Sequence, residues 1–322
     1  MGEGNSPGSP AFAGPPMSRC ILIGTRGSPL ALAQTEIARA RLATAMPALA
    51  EPDGCEVMVI RTTGDKVQDR PLAEVGGKGL FSKEIDEAML AGRIDLAVHS
   101  VKDLPTWLPA AILLGAVLPR EDPRDVLIAS AARIVDLPPG AVVGTSSLRR
   151  RAQVLARRPD LRLVPLRGNV HTRLRKAAEG EVAATLLARA GLRRLGLGDA
   201  GTILDPEEML PAVGQGAIGV TCREDDGEMR ALLAIATDAA TSAEVSAERA
   251  MLAILDGSCR TPIGGLARTD AAALHLRGLV ARPDGSRLLA GERHGPADAS
   301  EAMGMDLGQE LRRRAGPGFF DA

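Results

Sequence analysis

Tyrosine is absent from the 322-residue chain, and one tryptophan with four phenylalanines brings aromatics to only 2%. Single-stranded nucleic acid is usually held by stacking bases on aromatic side chains, and too few rings are present for such a platform. Long apolar runs are missing as well. The longest, residues 108–118, is broken by Pro109 and Gly115 and falls well short of the roughly 20 residues of a membrane helix. The start of the chain lacks the basic stretch and apolar core of a secretory signal; residues 1–17 are rich in Gly, Pro and Ser and are expected to form a disordered tail. Four cysteines, at 20, 55, 222 and 259, form no CxxC pair and show no metal-ligand spacing. Neither structural disulfides nor a metal is therefore expected, no membrane association is expected, and the expected compartment is the cytosol.

What the chain does have is a concentration of positive charge. The formal net charge is only −1, yet residues 149–194 hold thirteen Arg or Lys against three acids, a local +10 that leaves about −11 for the remainder. An excess of this size costs self-repulsion and points to a bound anion.

Short β-branched runs alternate with amphipathic stretches through residue 240, the pattern of βα units. Strands are expected at 20–25, 56–61, 94–98, 112–117, 126–129, 141–143, 161–166, 182–187 and 217–221, and helices at 29–45, 79–90, 148–156, 170–179 and 227–235. Ser28-Pro29 reads as an N-cap followed by proline at the first helical position. Beyond residue 240 the grammar changes. A helix at 242–255, a loop containing Cys259, strands at 264–268, 274–281 and 287–292 and a helix at 298–314 describe a separate small α+β domain, its Pro283-Asp-Gly-Ser286 turn marking an antiparallel hairpin.

Ligands of open α/β sheets bind beyond the carboxyl ends of the strands, where following helices offer unpaired N–H groups. Three such loops are cationic: 144–150, 167–169 and 188–194. The first half delivers Arg26-Gly-Ser28 and His99-Ser-Val-Lys-Asp103 to equivalent positions. Two sheets facing a cleft would present many guanidiniums, which hold carboxylate or phosphate bidentately, and one conspicuous acid, Asp103. Asp103 could steady a developing positive charge or pass a proton; it could also cap a helix before Pro105. His99 reads more readily as a core residue than as a base, and Lys102 as an ion-pair partner of Asp103 than as a Schiff-base lysine. Arg157-Arg158 and Arg175-Lys176 read as surface charges, while convergence lifts Arg149, Arg150, Arg167, Arg173 and Arg194 above that class. Cys20, Cys55 and Cys222 read as small buried hydrophobes. Cys259, with Arg260 beside it, is open to carrying a covalent group. Gly76-Gly-Lys-Gly79 lacks the P-loop pattern and reads as a glycine-rich lid.

Taken in order, Thr25-Arg-Gly-Ser-Pro-Leu-Ala-Leu-Ala-Gln34, Val75-Gly-Gly-Lys-Gly-Leu-Phe81, His99-Ser-Val-Lys-Asp103, Arg120-Glu-Asp-Pro-Arg-Asp125, Gly144-Thr-Ser-Ser-Leu-Arg-Arg150, Leu166-Arg-Gly-Asn169, Pro211-Ala-Val-Gly-Gln-Gly216 and Gly257-Ser-Cys259 resemble the porphobilinogen deaminase (hydroxymethylbilane synthase) family from about residue 20 to residue 314. The resemblance implies an enzyme that joins four porphobilinogens head to tail, releasing ammonia, to give hydroxymethylbilane for porphyrin and heme synthesis. It implies two periplasmic-binding-protein-like (type II) α/β domains flanking a cleft, plus a small α+β C-terminal domain with a three-stranded antiparallel sheet. The expected boundaries are 18–121 with 216–236, then 122–215, then 237–322.

By the same resemblance Cys259 carries a covalent dipyrromethane cofactor and Asp103 is the catalytic acid, protonating the departing amine and stabilising cationic pyrrole intermediates. Cofactor contacts fall to Ser100, Lys102, Thr145, Ser147, Arg149, Arg150 and Asn169. Substrate contacts fall to Arg26, Ser28, Lys78, Phe81, Arg167, Arg173, Ala188 and Arg194. A monomer is expected. Each pyrrole bears an acetate and a propionate, so the product is a polyanion, and with so few aromatics charge pairing must supply most of its affinity. The rival reading is a non-catalytic protein that binds small polycarboxylates or nucleic acid, distinguished by whether Cys259 carries a covalent group.

Overall fold

The computed structural model describes residues 19–66, 81–255, 257 and 261–320. The expected tail, the Gly76–Gly79 lid, Lys78 and Cys259 lie outside them.

The first half builds β1 (Ile21–Thr25), α1 (Pro29–Ala45), β2 (Cys55–Val59), α2 (Thr63–Lys66), α3 (Lys83–Leu90), β3 (Leu96–Ser100) and β4 (Ile112–Val117). The chain then crosses to β5 (Asp125–Ala129), β6 (Val142–Gly144), α4 (Leu148–Arg157), β7 (Arg162–Val164), α5 (Val170–Ala178), β8 (Ala184–Ala188), α6 (Arg189–Arg194) and β9 (Thr202–Ile203). It returns through β10 (Ile218–Arg223) and α7 (Gly227–Ala236). The remainder is α8 (Ala239–Ile254), β11 (Ile263–Asp270), β12 (Ala273–Ala281), β13 (Leu288–Pro296) and α9 (Ser300–Ala315).

The two five-stranded sheets repeat one plan, β2-β1-β3-β10-β4 and β7-β6-β8-β5-β9. In each, three strands are parallel and the strand that arrives by a crossing, β10 or β5, is antiparallel to both neighbours. These are the two α/β sheets that the sequence pattern predicts. The third sheet, β11-β12-β13, is antiparallel and packs its apolar face on α8 and α9 through Leu274, Leu276, Met251, Leu307 and Leu311.

Local chemistry explains the helix starts that matter for the cleft. The Ser28 hydroxyl accepts from Ala31 N at 3.3 Å with Pro29 at the first turn, Ser147 accepts from Arg150 N at 3.4 Å, and Asn169 accepts from Thr172 N at 2.9 Å. Two expectations need correction. The helix expected from 242 begins at Ala239, because Asp238 caps it by accepting from Thr241 N at 2.8 Å. Residues 188–194, expected as a loop, form α6, with Ala188 as its uncapped N-cap, so Arg193 and Arg194 ride on a helix end.

The two crossing segments are fastened to each other. Glu121 N donates to Gly216 O at 3.2 Å, and Gln215 Nε2 donates to Pro123 O at 2.6 Å. Gly216 has φ +91°, and a Cβ there would sit 2.3 Å from Glu121 O, so only glycine permits this approach. Arg120, on the outgoing segment, donates to Glu244 and Glu248 of α8 at 3.1 and 2.6 Å, and Glu248 also accepts from Gly214 N and Ala267 N. Asp125, the first residue of β5, is fully buried between Arg149 Nη1 at 2.8 Å and Arg150 Nη2 at 2.7 Å and also accepts from Gln215 Nε2 at 2.9 Å.

Burial alone would raise the Asp125 pKa, but Arg149 and Arg150 hold it well below the ordinary carboxylate range. Its stabilising contribution is therefore complete above the unfolded-state pKa near ~4 and decays as pH falls below it. Asp125→Asn leaves two buried guanidiniums without their carboxylate and should cost about 3–5 kcal/mol, read as a lower urea midpoint. The wild type should also lose stability on acidification more steeply than the variant; coincident midpoints at neutral pH would overturn the assignment.

Candidate active site

Strand β3 ends at Ser100, and a single 3₁₀ turn, Val101–Asp103, follows it. Val101 and Leu104 are buried, and Pro105 holds Leu104 extended, so Lys102 and Asp103 between them are turned toward the cleft. Asp103 is thus presented by a 3₁₀ turn rather than as a cap of a longer helix. It shares a cavity with Arg26, Ser28, Gln34, Phe81, His99 and Ser100, and it is the one acid among the described residues lining it.

Within this cavity the Arg26 guanidinium lies over the Phe81 ring, 4.1 Å from its centroid. Ser100 Oγ and the Gln34 amide are 2.8 Å apart. His99 is buried, with Nε2 3.1 Å from the Thr221 hydroxyl, and burial, aided by Arg26, pushes its pKa down to about 4. It is a neutral core histidine, as the sequence suggested.

The cations of the cleft separate into two groups. Arg149 and Arg150 are not exposed clamps. Their side chains are buried against Asp125, and their remaining donors reach Leu210 O at 2.7 Å and Leu186 O at 2.8 Å. Sequence could not show this, because the neutralising acid lies 24 residues upstream. Lys102, Arg173 and Arg194 form the second group. Lys102 Nζ is 3.4 Å from Gln215 Oε1, Arg173 Nε donates to Gly168 O at 2.8 Å, and Arg194 Nη2 donates to Gly216 O at 2.6 Å. Among the described residues none of the three forms a salt bridge, so the expected Lys102–Asp103 ion pair is corrected: the amine is drawn onto the Gln215 amide instead.

Burial pushes Lys102 down to about 8, opposed by Asp103, and pushes Arg173 and Arg194 down to about 10. Arg150 and Arg167 reinforce the fall at Arg173, while Asp103 opposes it. The turn after β3 and helix α5 therefore bring their charges within reach of one another across the two sheets. Cations desolvated without a full complement of acids mark a place prepared for an anion.

The other candidates act through the backbone. Thr145 Oγ1 accepts from Ser147 N at 3.2 Å, while Ser28, Ser147 and Asn169 are the caps already described, so the N-termini of α1, α4 and α5 are held open-ended at strand ends. Ala188 contributes only main chain at the start of α6. The surface reading of Arg175 and Lys176 holds, since they pair with Glu179 and Glu181, but Arg158 is corrected: its side chain is only 15% exposed, pairs with Asp160 and donates to the Val135 and Leu137 carbonyls at 2.9 and 2.7 Å. Cys55 and Cys222 are buried and Cys20 partly so, all three as free thiols.

Cys259 itself lies outside the described residues, but its neighbour Gly257 does not. The Thr106 hydroxyl donates to Gly257 O at 2.6 Å, and Arg249 Nη2 holds the Pro105 and Thr106 carbonyls at 3.0 Å. The segment three residues past Asp103 is thereby tied to the loop two residues before Cys259. Thr106, Arg249, Gln215 and Asp125 were missed as site-building residues. Asp125 and Gln215 lie inside motifs that were noticed, but no local charge pattern reveals their partners, and Thr106 carries no signal at all.

Two family models match the chain: the porphobilinogen deaminase dipyromethane cofactor binding domain over residues 21–231 and the porphobilinogen deaminase C-terminal domain over residues 242–313. A porphobilinogen deaminase of Paracoccus denitrificans is 56% identical over 303 residues, covering 94% of this chain and 96% of that protein. One from Nitrobacter hamburgensis is 55% identical, covering 92% and 94%, and a chloroplastic one from Oryza sativa is 52% identical, covering 94% and 86%. Both halves of the cleft and the C-terminal sheet fall within these matches, and the chain belongs to the porphobilinogen deaminase family.

Proposed function

We propose that Asp103 is the catalytic acid of this chain, that Cys259 carries its cofactor, and that Lys102, Arg173 and Arg194 are the principal cations for the pyrrole carboxylates. The activity is that of a transferase: four porphobilinogens are condensed head to tail with loss of ammonia to give hydroxymethylbilane, and the family's cofactor is dipyrromethane. The observation that carries the residue assignment is one carboxylate, Asp103, the sole acid among the described residues lining its cavity, whose charge is felt by the desolvated Lys102 and Arg173, cations partnered by an amide and a carbonyl.

The cleft suits the cofactor's chemistry. A dipyrromethane brings two acetates and two propionates, and the partly buried cations of the β3 turn, α5 and α6 lack that much negative charge. When bound, the group primes the growing chain and is retained. Lys102, Arg173 and Arg194 bind and orient carboxylates, with Arg26, Arg167, Lys78 and the caps Ser28, Ser147 and Asn169 assigned to help. Thr145 and Ser100 brace these positions through Ser147 N and Gln34. Arg149 and Arg150 act one step back, since Asp125 already holds them, by fixing the start of α4. Asp103 delivers a proton to the departing amine and then, as carboxylate, faces the cationic pyrrole carbon that remains. Phe81 backs Arg26.

The domain boundaries proposed are those that follow the three sheets, and the protein is proposed to work as a cytosolic monomer. Free thiols at Cys20, Cys55 and Cys222 support a reducing compartment. No helix among the described residues is long and apolar enough to cross a membrane.

Intact mass of the denatured protein tests the assignment first: wild type should carry an increment of two linked pyrroles mapping to Cys259, and Cys259→Ala should carry none and be inactive. An active Cys259→Ala protein would sink the cofactor assignment. Asp103→Asn should keep the increment while turnover falls on the order of 10²–10⁴-fold, the range for loss of a general acid. Burial pushes the Lys102 amine down to about 8, and a bound carboxylate favours its charged form. The KM for porphobilinogen should therefore rise as pH climbs through 8, and Lys102→Gln should raise KM at neutral pH and flatten that dependence.

A further inference from the structure

We propose that His275, Glu292 and His294 form a binding site for a divalent first-row transition metal ion on the outer face of the C-terminal sheet. The antiparallel register of β12 and β13 sets His275 directly opposite His294, and Glu292 lies two residues before His294 on the same face. The two imidazoles are stacked, centroids 3.9 Å apart and planes 11° apart, and His275 Nε2 is 3.1 Å from Glu292 Oε2. One ligand atom from each of the three residues lies within 4.8 Å of the others. Two of the four histidines in the chain are spent on this pair.

The surrounding charges leave the three groups to one another. Arg277 is the cross-strand partner of Glu292, yet its guanidinium turns away to Glu207 at 2.6 Å. Arg268, opposite His275 on β11, leans to Glu244 at 3.7 Å, and Arg293 pairs with Asp306 and Glu310 at 2.6 and 2.7 Å. Among the described residues no cation therefore pairs with the Glu292 carboxylate within the cluster.

Two neutral imidazoles and one carboxylate suit Zn²⁺, Cu²⁺ or Ni²⁺, whereas Ca²⁺ and Mg²⁺ require more oxygen ligands than Glu292 offers. Zn–N and Zn–O bonds of about 2.0–2.2 Å put neighbouring ligand atoms of a tetrahedral site roughly 3.4 Å apart. Closing from the present spacing needs only side-chain torsions, because the β12–β13 ladder fixes the backbones. Water would complete the shell on the exposed side. Bound metal would staple the hairpin without touching the cleft. Cysteine spacing predicts no metal, whereas these ligands meet only through strand register.

The test is calorimetric titration of Zn²⁺ into metal-stripped, full-length protein whose Cys259 is blocked by its cofactor. One equivalent should bind, and His275→Ala and His294→Ala should each weaken binding at least ~10-fold, with Glu292→Gln weakening it less. Zn²⁺ should shift the imidazole proton resonances of His275 and His294 in the wild type, a readout independent of variant folding. Deaminase turnover should be unchanged in all three variants. Absence of saturable binding, binding unaltered by both histidine substitutions, or unmoved His275 and His294 resonances would each overturn the site.

Discussion

The buried Asp125 carboxylate is the contact on which the cleft depends. It takes two guanidiniums and an amide at once, and each of its partners leads elsewhere: Arg149 to Leu210 O, Arg150 to Leu186 O, Gln215 to Pro123 O and to the Lys102 amine. Burying three charges costs several kcal/mol per ion before any attraction is counted, so the group is a poor device for stability alone. What it supplies is placement. Both arginines belong to the first turn of α4, so the acid at the head of β5 fixes where that helix begins, while Gln215 joins the same acid to the turn that carries Asp103.

This arrangement changes the meaning of the +10 window. Much of that charge is answered inside the chain by acids of the outgoing crossing segment, just upstream of the window: Glu121 meets Arg193, Asp122 meets Arg189, and Asp125 meets Arg149 and Arg150. Counting charge over a linear window overlooks these acids because they belong to another stretch of sequence. The demand for an external anion is narrower than the count suggests, and it falls most clearly on Lys102, Arg173 and Arg194, whose partners are an amide and two carbonyls.

The fold was largely legible. Strand runs with caps such as Ser28-Pro29 and Asn169 are local signals, and the 283–286 turn announced its hairpin. The failures were local competitions or distant partners. Asp238 caps α8 and starts it three residues before the expected 242, α6 forms where cationic residues suggested a loop, and two-residue β9 is too short to carry a pattern. Asp103 stood out because an acid among cations at a strand end is visible in sequence. Thr106 did not, because one hydroxyl bonded to Gly257, 151 positions away, leaves no trace in composition.

The three desolvated cations come from different places: Lys102 from the turn after β3 in the first sheet, Arg173 from α5 and Arg194 from the end of α6 in the second. Arg194 also grips Gly216, on the return crossing, so a cation of the second sheet unit is anchored to the segment that leads back to the first. The proposed polycarboxylate site thus depends on how the two sheets are set against each other, not on either alone. With Tyr absent and Phe81 already beneath Arg26, stacking cannot substitute for that placement. The crossings held together by the Glu121–Gly216 and Gln215–Pro123 contacts carry both the polypeptide and the hydrogen bonds that link Asp125, through the Gln215 amide, to Lys102.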